Sequence, residues 1–209
     1  MNMESFTSSR FFLVGLLVAV SIFAIGFNIV TAQQEKSESN KLKFVTRAEW
    51  GAQSPVKPPN ALVVSPAPYV IISHTASNFC YKISQCVLNV RVMQTFHIES
   101  KGWDDIGYSF IVGGDGNIYE GRGWDVQGAH TFNYNDKSIG ISFIGTFNQA
   151  RPTDAQLEAV QKLIQYGVES GKLSSDYKLL GHRQCVKTDS PGEVLYNIIK
   201  TWDHWSQTP

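Results

Sequence analysis

The stretch APYVIISHTAS, residues 67–77, decides the fold. Its centre, from Tyr69 to Ile72, is a short apolar run rich in β-branched side chains. That composition predicts a strand buried in the middle of a sheet. The run gives way to Ser73, His74 and Thr75, so a group of polar side chains stands at the strand's end. In open α/β sheets that is where sites are built.

Working outward, residues 83–101 carry helical spacing. Ile83, Val87, Val90, Gln94, His97 and Lys101 fall on one face. Leu88, Val92 and Phe96 make a second apolar stripe opposite, which predicts a helix covered on two sides. Gly102 is placed to end it. IGYSFIVGGDGNIYEG, residues 106–121, reads as a β-hairpin with Asp115-Gly116 at its turn. A phosphate loop is set aside there, because no helix follows and no Lys-Ser/Thr pair closes it. SIGISFIG, residues 138–145, is another strand. Thr153-Asp-Ala-Gln156 is a T-x-x-Q capping box, opening a helix with Leu157, Val160, Ile164 and Val168 on one face. Tyr177 to Leu180 form a short strand, and a last helix carries Val194, Leu195, Ile198 and Trp202. Strands alternating with helices give the fold class: α/β, a mixed central sheet flanked by about three helices.

The chain has 209 residues, enough for one domain with a sizeable core. Lys plus Arg number 18 and Asp plus Glu 18, so no basic field suggests nucleic acid or an anionic membrane as a partner. Residues 11–30 are almost entirely apolar, follow Arg10, and lead to Val30-Thr31-Ala32. A signal peptide cleaved after Ala32 is the favoured reading, and an uncleaved membrane anchor the alternative. Either puts the rest of the chain outside the cell. Residues 33–42 are a polar lead-in, 43–205 one domain, and 206–209 a tail. In an exported protein Cys80 and Cys86, six residues apart, suit a disulfide better than a metal pair. Cys185 is left over, as a small buried hydrophobe or a reactive thiol.

Four of the five histidines, His74, His97, His130 and His182, fall where a strand or helix ends, while His204 lies in the C-terminal tail. Each alone reads first as a hydrogen-bonded structural residue. Four together, with Tyr108 and two tryptophans close by in sequence, point to a groove.

An ordered set of motifs runs through nearly the whole exported chain. It comprises VTRAEWG from Val45, YVIISHTA from Tyr69, GWDDIGYSF from Gly102, GGDGNIYEGRGW from Gly113, GAHT from Gly128, IGISFIG from Ile139, and LGHRQ from Leu180 with SPG behind it. This set resembles the peptidoglycan recognition proteins, an animal family related to bacteriophage-type zinc amidases. Cys80 and Cys86 match its short-loop disulfide. In catalytic members of that family two histidines and a cysteine hold zinc, leaving a position for water, whose pKa falls toward ~7. That water attacks the amide joining the lactyl group to the stem peptide, and a tyrosine helps polarise the carbonyl.

Carried over residue by residue, the resemblance breaks at the metal. The first ligand position holds Ser73, and the third, just before Pro-Gly, holds Ser190; His182 keeps the second. His74 cannot stand in for Ser73, because neighbours on a strand point to opposite faces. Cys185 follows His182 by three residues where the family ligand follows by eight. Tyr108 matches the catalytic tyrosine and Thr188 an accessory position. The resemblance therefore implies no bound metal and no cofactor, zinc being relevant only if the chain is an amidase after all. It implies a groove for bacterial peptidoglycan or muramyl peptides at His74, Thr75, His97, Lys101, Gly102, Trp103, Tyr108, His130 and Asn135. For Thr75 and Tyr108 a purely structural wall role is an equal account. Gly102-Trp103 accompanies a preference for diaminopimelate-type stems, with no basic residue assignable to the extra carboxylate; Lys101 is adjacent.

The expected protein is a secreted, non-catalytic sensor of innate immunity acting through a protein partner. The alternatives are a zinc-dependent N-acetylmuramoyl-L-alanine amidase and a decoy that sequesters fragments. Ser190 has a second use on this reading. Ser190-Pro-Gly-Glu193 is an S-x-x-E capping box with proline at the first helical position, so its hydroxyl is expected to cap the last helix.

Overall fold

The apolar run at 69–72 lies inside strand β2, Ala67–His74, near the middle of a six-stranded sheet. The structure, a computed structural model, describes residues 42–209; the expected leader at 1–32 and lead-in up to residue 41 lie outside the described residues. The other strands are β1 (Phe44–Val45), β3 (Phe110–Val112), β4 (Ile118–Glu120), β5 (Ser138–Phe143) and β6 (Leu173–Gly181). Their order is β1-β4-β3-β5-β2-β6. Among the described strands only β3 and β4 pair antiparallel. The helices are α1 (Ile83–Thr95), α2 (Asp154–Glu169), α3 (His182–Cys185) and α4 (Glu193–Ile199), with a π-helical turn at Phe96–Ser100 continuing α1. The sheet is mixed and the fold is α/β, as expected.

Two clusters fill the two faces of the sheet. Val70 and Ile72 of β2, Ile139, Ile141 and Phe143 of β5, and Leu179 of β6 pack with Val160, Leu163 and Ile164 of α2 and with Leu195 and Ile199 of α4. On the opposite face Ile111 and Tyr119 pack with Val90 and Met93 of α1, with Val45 and with fully buried Trp50. Trp50 donates its indole N–H to the Glu120 carbonyl at 2.8 Å, which explains the aromatic in VTRAEWG. Helix α1 thus covers the β1–β4–β3 end of this face. At the β5–β2 end, alternation points Ser73, Gly140 and Ser142 to the same side, under loops rather than a helix.

Several local expectations change in detail. Val90, Gln94 and His97 are buried, but Leu88 and Val92 are each 60% exposed and Phe96 is 48% exposed. Helix α1 is covered on one side only: Val90 and Met93 pack on the sheet, and the Leu88, Val92 and Phe96 stripe faces solvent. The last turn widens to π spacing, with Lys101 N–H donating to the Phe96 carbonyl, before Gly102 takes a left-handed φ of +67°. Thr153 caps α2 by accepting from Gln156 N–H at 3.1 Å. The Gln156 side chain, however, turns inward and donates to the Val112 and Ile144 carbonyls at 2.7 and 3.3 Å, closing the ends of β3 and β5. Strand β6 begins at Leu173, ahead of the expected Tyr177.

Cys80 and Cys86 form the expected disulfide, with S–S 2.01 Å. It packs on the hairpin turn: a Cβ at Gly113 would meet Cys86 Sγ, and one at Gly114 the Cys80 carbonyl. The glycine pair in GGDG is therefore a packing requirement.

Ser190 does not cap the last helix. Helix α4 starts at Glu193, after Gly192 with φ +90°. Val194 N–H, an orphan donor of its first turn, goes to the Phe147 carbonyl at 3.0 Å. Gly192 lies flat on the Phe147–Asn148 backbone, where a Cβ would collide. This tertiary contact sets the helix start two residues beyond the local motif. It frees the Ser190 hydroxyl to accept the His74 backbone N–H at 3.1 Å.

Candidate functional site

The groove is built from its floor upward. Ser73 and Ser142 sit opposite each other in the β2–β5 register. The Ser73 hydroxyl is buried without a protein partner, and the Ser142 hydroxyl lies beside that of Tyr108. Beside them Gly140 leaves a space that the His130 imidazole fills. Gly128 leaves another, so two glycines form a slot for this ring. His130 Nδ1 pairs with Thr131 Oγ1 at 2.9 Å, and the Ser138 backbone also acts on the ring. Burial, then the nearby His182 and Arg122, lower its pKa to about 3, so the ring is neutral. Asn135 Oδ1 accepts the His130 and Thr131 backbone N–H groups, both at 2.8 Å, and so holds this loop in shape.

His182 opens α3 at the end of β6, with Nδ1 buried and unpartnered. Burial and the neighbouring His74 lower its pKa. His74 ends β2; its Nδ1 accepts Phe147 N–H at 3.3 Å, and burial lowers its pKa too. Tyr108 is half-buried, with its hydroxyl beside Ser142; burial raises its pKa, leaving a proton donor at neutral pH. His97 sits in the π turn, its ring 4.7 Å from Trp103 and 5.5 Å from Tyr108 between centroids. Its Nδ1 accepts Gly107 N–H at 3.1 Å, which leaves the proton on Nε2. Burial, then Arg122 and Lys101, bring its pKa to about 4.

The remaining expected residues form the walls and rim. Thr75 Oγ1 accepts Gly145 N–H at 3.0 Å and shares a hydrogen bond with Ser77, a wall role. Exposed Lys101 reaches over the Phe96 ring at 5.5 Å. Thr188 Oγ1 accepts Ser190 N–H at 3.2 Å. Cys185 is partly buried and free, and burial pushes its thiol up to about 11, which keeps it protonated at neutral pH.

The three family metal positions supply one imidazole and two hydroxyls. Ser190 Oγ already accepts a backbone hydrogen bond, and neutral hydroxyls are poor zinc donors. Among the described residues no group of three or more His, Cys, Asp or Glu side chains could hold a metal ion. The donor set does not fit the zinc of the amidases.

Arg122 is the residue whose role sequence reasoning passed over. It stands at the hairpin's end, between Gly121 and Gly123. Its guanidinium donates to the Ile106 carbonyl at 2.7 Å and the Gln127 carbonyl at 3.0 Å. It thereby ties the loop that carries Trp103 and Tyr108 to the loop that carries His130, and its charge acts on both His97 and His130. Buried Asp105 braces the first loop, accepting from Gln94 Nε2 and Ile106 N–H, both at 2.7 Å, and pairing with Arg47 at 2.9 Å. A lone arginine between two glycines in a neutral chain was the available signal.

Residues 64–193 match the N-acetylmuramoyl-L-alanine amidase family. Peptidoglycan-recognition protein SC2 of Drosophila simulans is 45% identical over 162 residues, 78% of this chain and 87% of that protein. The peptidoglycan recognition protein of Trichoplusia ni is 42% identical over 184 residues, 88% of this chain and 97% of that one. Among solved structures, peptidoglycan recognition protein-LE in complex with tracheal cytotoxin, a monomeric diaminopimelic acid-type peptidoglycan, aligns with a TM-score of 0.77. It is 50% identical, covering 78% of this chain and 95% of its own. The tracheal cytotoxin-bound ectodomain complex of proteins LCa and LCx aligns at 0.78 with 53% identity, covering 79% and 99%. With this fold, this ordered set of groove residues and these similarities, the chain belongs to the peptidoglycan recognition protein family, whose domain is that of the N-acetylmuramoyl-L-alanine amidases.

Proposed function

We propose that this protein is an innate-immune recognition protein that binds bacterial peptidoglycan in its groove, does not hydrolyse it, uses no metal, and passes the event to a protein partner. The observation that carries the reading is the groove floor. His74, His97, His130 and His182, all lowered in pKa by burial, gather at the strand and helix ends with half-buried Trp103 and Tyr108. They suit the hydroxyl, carbonyl and amide groups of a muramyl peptide. The histidines are held neutral, so the floor offers hydrogen bonds rather than charge. The same floor supports binding without cleavage, because two of the three metal positions are hydroxyls.

A diaminopimelate-type stem is the preferred ligand on this reading, and Arg122, the cation acting on both His97 and His130, is the partner for its extra carboxylate. Two relatives solved with tracheal cytotoxin support that preference. The Cys80–Cys86 disulfide supports an exported protein. No helix among the described residues is long and apolar enough to cross a membrane.

The test pairs calorimetry with product analysis on the purified protein. Tighter binding of a diaminopimelate-type than a lysine-type muramyl peptide, no stoichiometric zinc, and no released stem peptide are expected. Stoichiometric zinc with peptide release would convert the reading to an amidase. Equal or lysine-favouring affinity would remove the stem preference.

A further inference from the structure

A cavity of about 460 Å³ lies between α2, β6 and the C-terminal segment. That volume is in the ~300–1,000 Å³ range of small-ligand sites. It shares no residue with the groove. Tyr177 and Leu179 belong to the core on the α2 side, while Ser73 and Ser142 point to the other side, so the sheet separates the two sites. The cavity floor is Ile164, Val168 and Leu179, and one wall is the partly exposed indole of Trp202. The other wall is a stacked pair, Tyr177 and His204, with ring centroids 4.3 Å apart and planes 21° apart.

This wall is built with care. His204 takes a left-handed φ of +62°, uncommon for a residue other than glycine. It is held there by the Tyr177 stack and by its carbonyl, which accepts Leu179 N–H at 2.8 Å. Ser206 N–H returns to the Leu179 carbonyl at 3.0 Å, so the C-terminal segment extends along the free edge of β6.

The rim is polar and carries no Lys or Arg. Among the described residues the Gln161 amide, the Tyr177 hydroxyl and the Asp203 carboxylate have no hydrogen-bond or ion-pair partner. Gln165 donates its amide to Glu169 at 2.8 Å, leaving its carbonyl oxygen open. A carboxylate with no Lys or Arg in the lining disfavours an anion, and a wholly apolar ligand would leave the amides and the carboxylate unused. An indole beside amides and one carboxylate suits a ring with an apolar face and a hydroxylated edge.

We propose that this cavity is a second ligand site, taking a neutral pyranose of a polysaccharide chain with its apolar face on Trp202 and its hydroxyls on Gln161, Gln165 and Asp203. The site does not depend on the reading of the groove. Chitin-like chains and the glycan strand of peptidoglycan present the same chemistry, and the test separates them.

Purified, isotope-labelled protein is titrated with the β-1,4-linked tetramer of N-acetylglucosamine and, separately, with peptide-free glycan strands. The Trp202 indole N–H and the Gln161 side-chain amide are followed by NMR, with a muramyl tripeptide as the groove probe. At least one glycan is expected to shift the Trp202 and Gln161 signals, while the tripeptide shifts Trp103 and His130. Trp202→Ala should weaken glycan binding by roughly tenfold or more, a loss on the order of 1.4 kcal/mol. Gln161→Ala should weaken it several-fold, and neither should alter tripeptide affinity. Whichever glycan binds names the source. The proposal is overturned if neither glycan moves these signals, if the shifts are confined to groove residues, or if glycan affinity survives both substitutions. Should Trp202→Ala fail to fold, Gln161→Ala, an exposed position on α2, decides alone.

Discussion

Acidification should unfold this protein earlier than its balanced charge suggests, and the groove histidines set the size of the effect. His97 is 6% exposed and His130 9% exposed. Burial is the main cause that brings their pKa values to about 4 and about 3. In the unfolded chain a histidine titrates near ~6.5. Above that pH both states are neutral and the shift has no effect on stability. Below it the unfolded chain takes a proton that the fold refuses, so stability falls as pH falls, until the folded value is reached. Each site then costs ~1.4 kcal/mol per pH unit. At about pH 5 the two sites together remove about 4 kcal/mol, against a typical total of ~5–15 kcal/mol. His74 and His182 are shifted in the same direction and steepen the trend. Urea unfolding at several pH values reads the slope directly as protons taken up on unfolding. The slope should be near zero above about pH 8 and approach two or more protons at about pH 5.5. His97→Gln should lower it by about one proton there. A slope below about half a proton at that pH, or one unchanged in His97→Gln, would refute the claim that these rings are neutral in the fold.

Three further outcomes follow from the same geometry. Ser190→Ala leaves the buried His74 N–H without its acceptor, so stability should fall by ~1–3 kcal/mol. Hydrogen exchange should quicken at the His74 amide and not in α4; the reverse pattern would restore the capping role. Arg122→Gln should weaken a diaminopimelate-type muramyl peptide about tenfold more than a lysine-type one in calorimetry, because a charge-assisted bond worth ~1.5–3 kcal/mol is lost from one ligand only. An equal loss for both would reduce Arg122 to a tie between loops. Ser73→His combined with Ser190→Cys should bind zinc stoichiometrically by metal analysis and release it to a chelator, since it completes two imidazoles and a thiolate. A double variant that stays metal-free would mean that Ser73 or Ser190 does not occupy the ligand position assigned to it.

The parts of the fold legible in the sequence were those that local periodicity and turn chemistry decide. The buried strand at 69–72, the hairpin around Asp115-Gly116, the Thr153 cap and the helix end at Gly102 all depend on side chains within a few positions of one another. What the sequence concealed depends on distant partners. The stripe Leu88, Val92, Phe96 has helical spacing, but whether a second layer covers it is a property of the whole sheet. Gln156 obeys half of its capping box because the Val112 and Ile144 carbonyls, far along the chain, offer its amide a buried partner. At the site, residue types and spacing singled out the histidines and the broken metal set. They could not show that Asn135 spends its oxygen on the His130 loop, or that Arg122 links two loops through their carbonyls.

On the proposed metal-free reading, Ser190 takes over a joint that the family resemblance assigns to zinc. The resemblance puts the three metal positions on three segments: the end of the central strand, the start of the short helix after the edge strand, and the loop before Pro-Gly. Here the same three segments are joined by hydrogen bonds. The Ser190 hydroxyl accepts His74 N–H from the strand, and its carbonyl accepts Arg183 N–H from the short helix at 2.8 Å. Arg183 continues the link through the Asp189 carbonyl and an ion pair with Glu193 at 2.6 Å. A metal removes lone pairs from the groove by coordinating them. This network draws mainly on backbone groups and surface charges, so Ser73 Oγ and His182 Nδ1 remain unclaimed. Hydrogen bonds alone therefore join the three segments, and they hold the neutral histidines at the strand and helix ends in place.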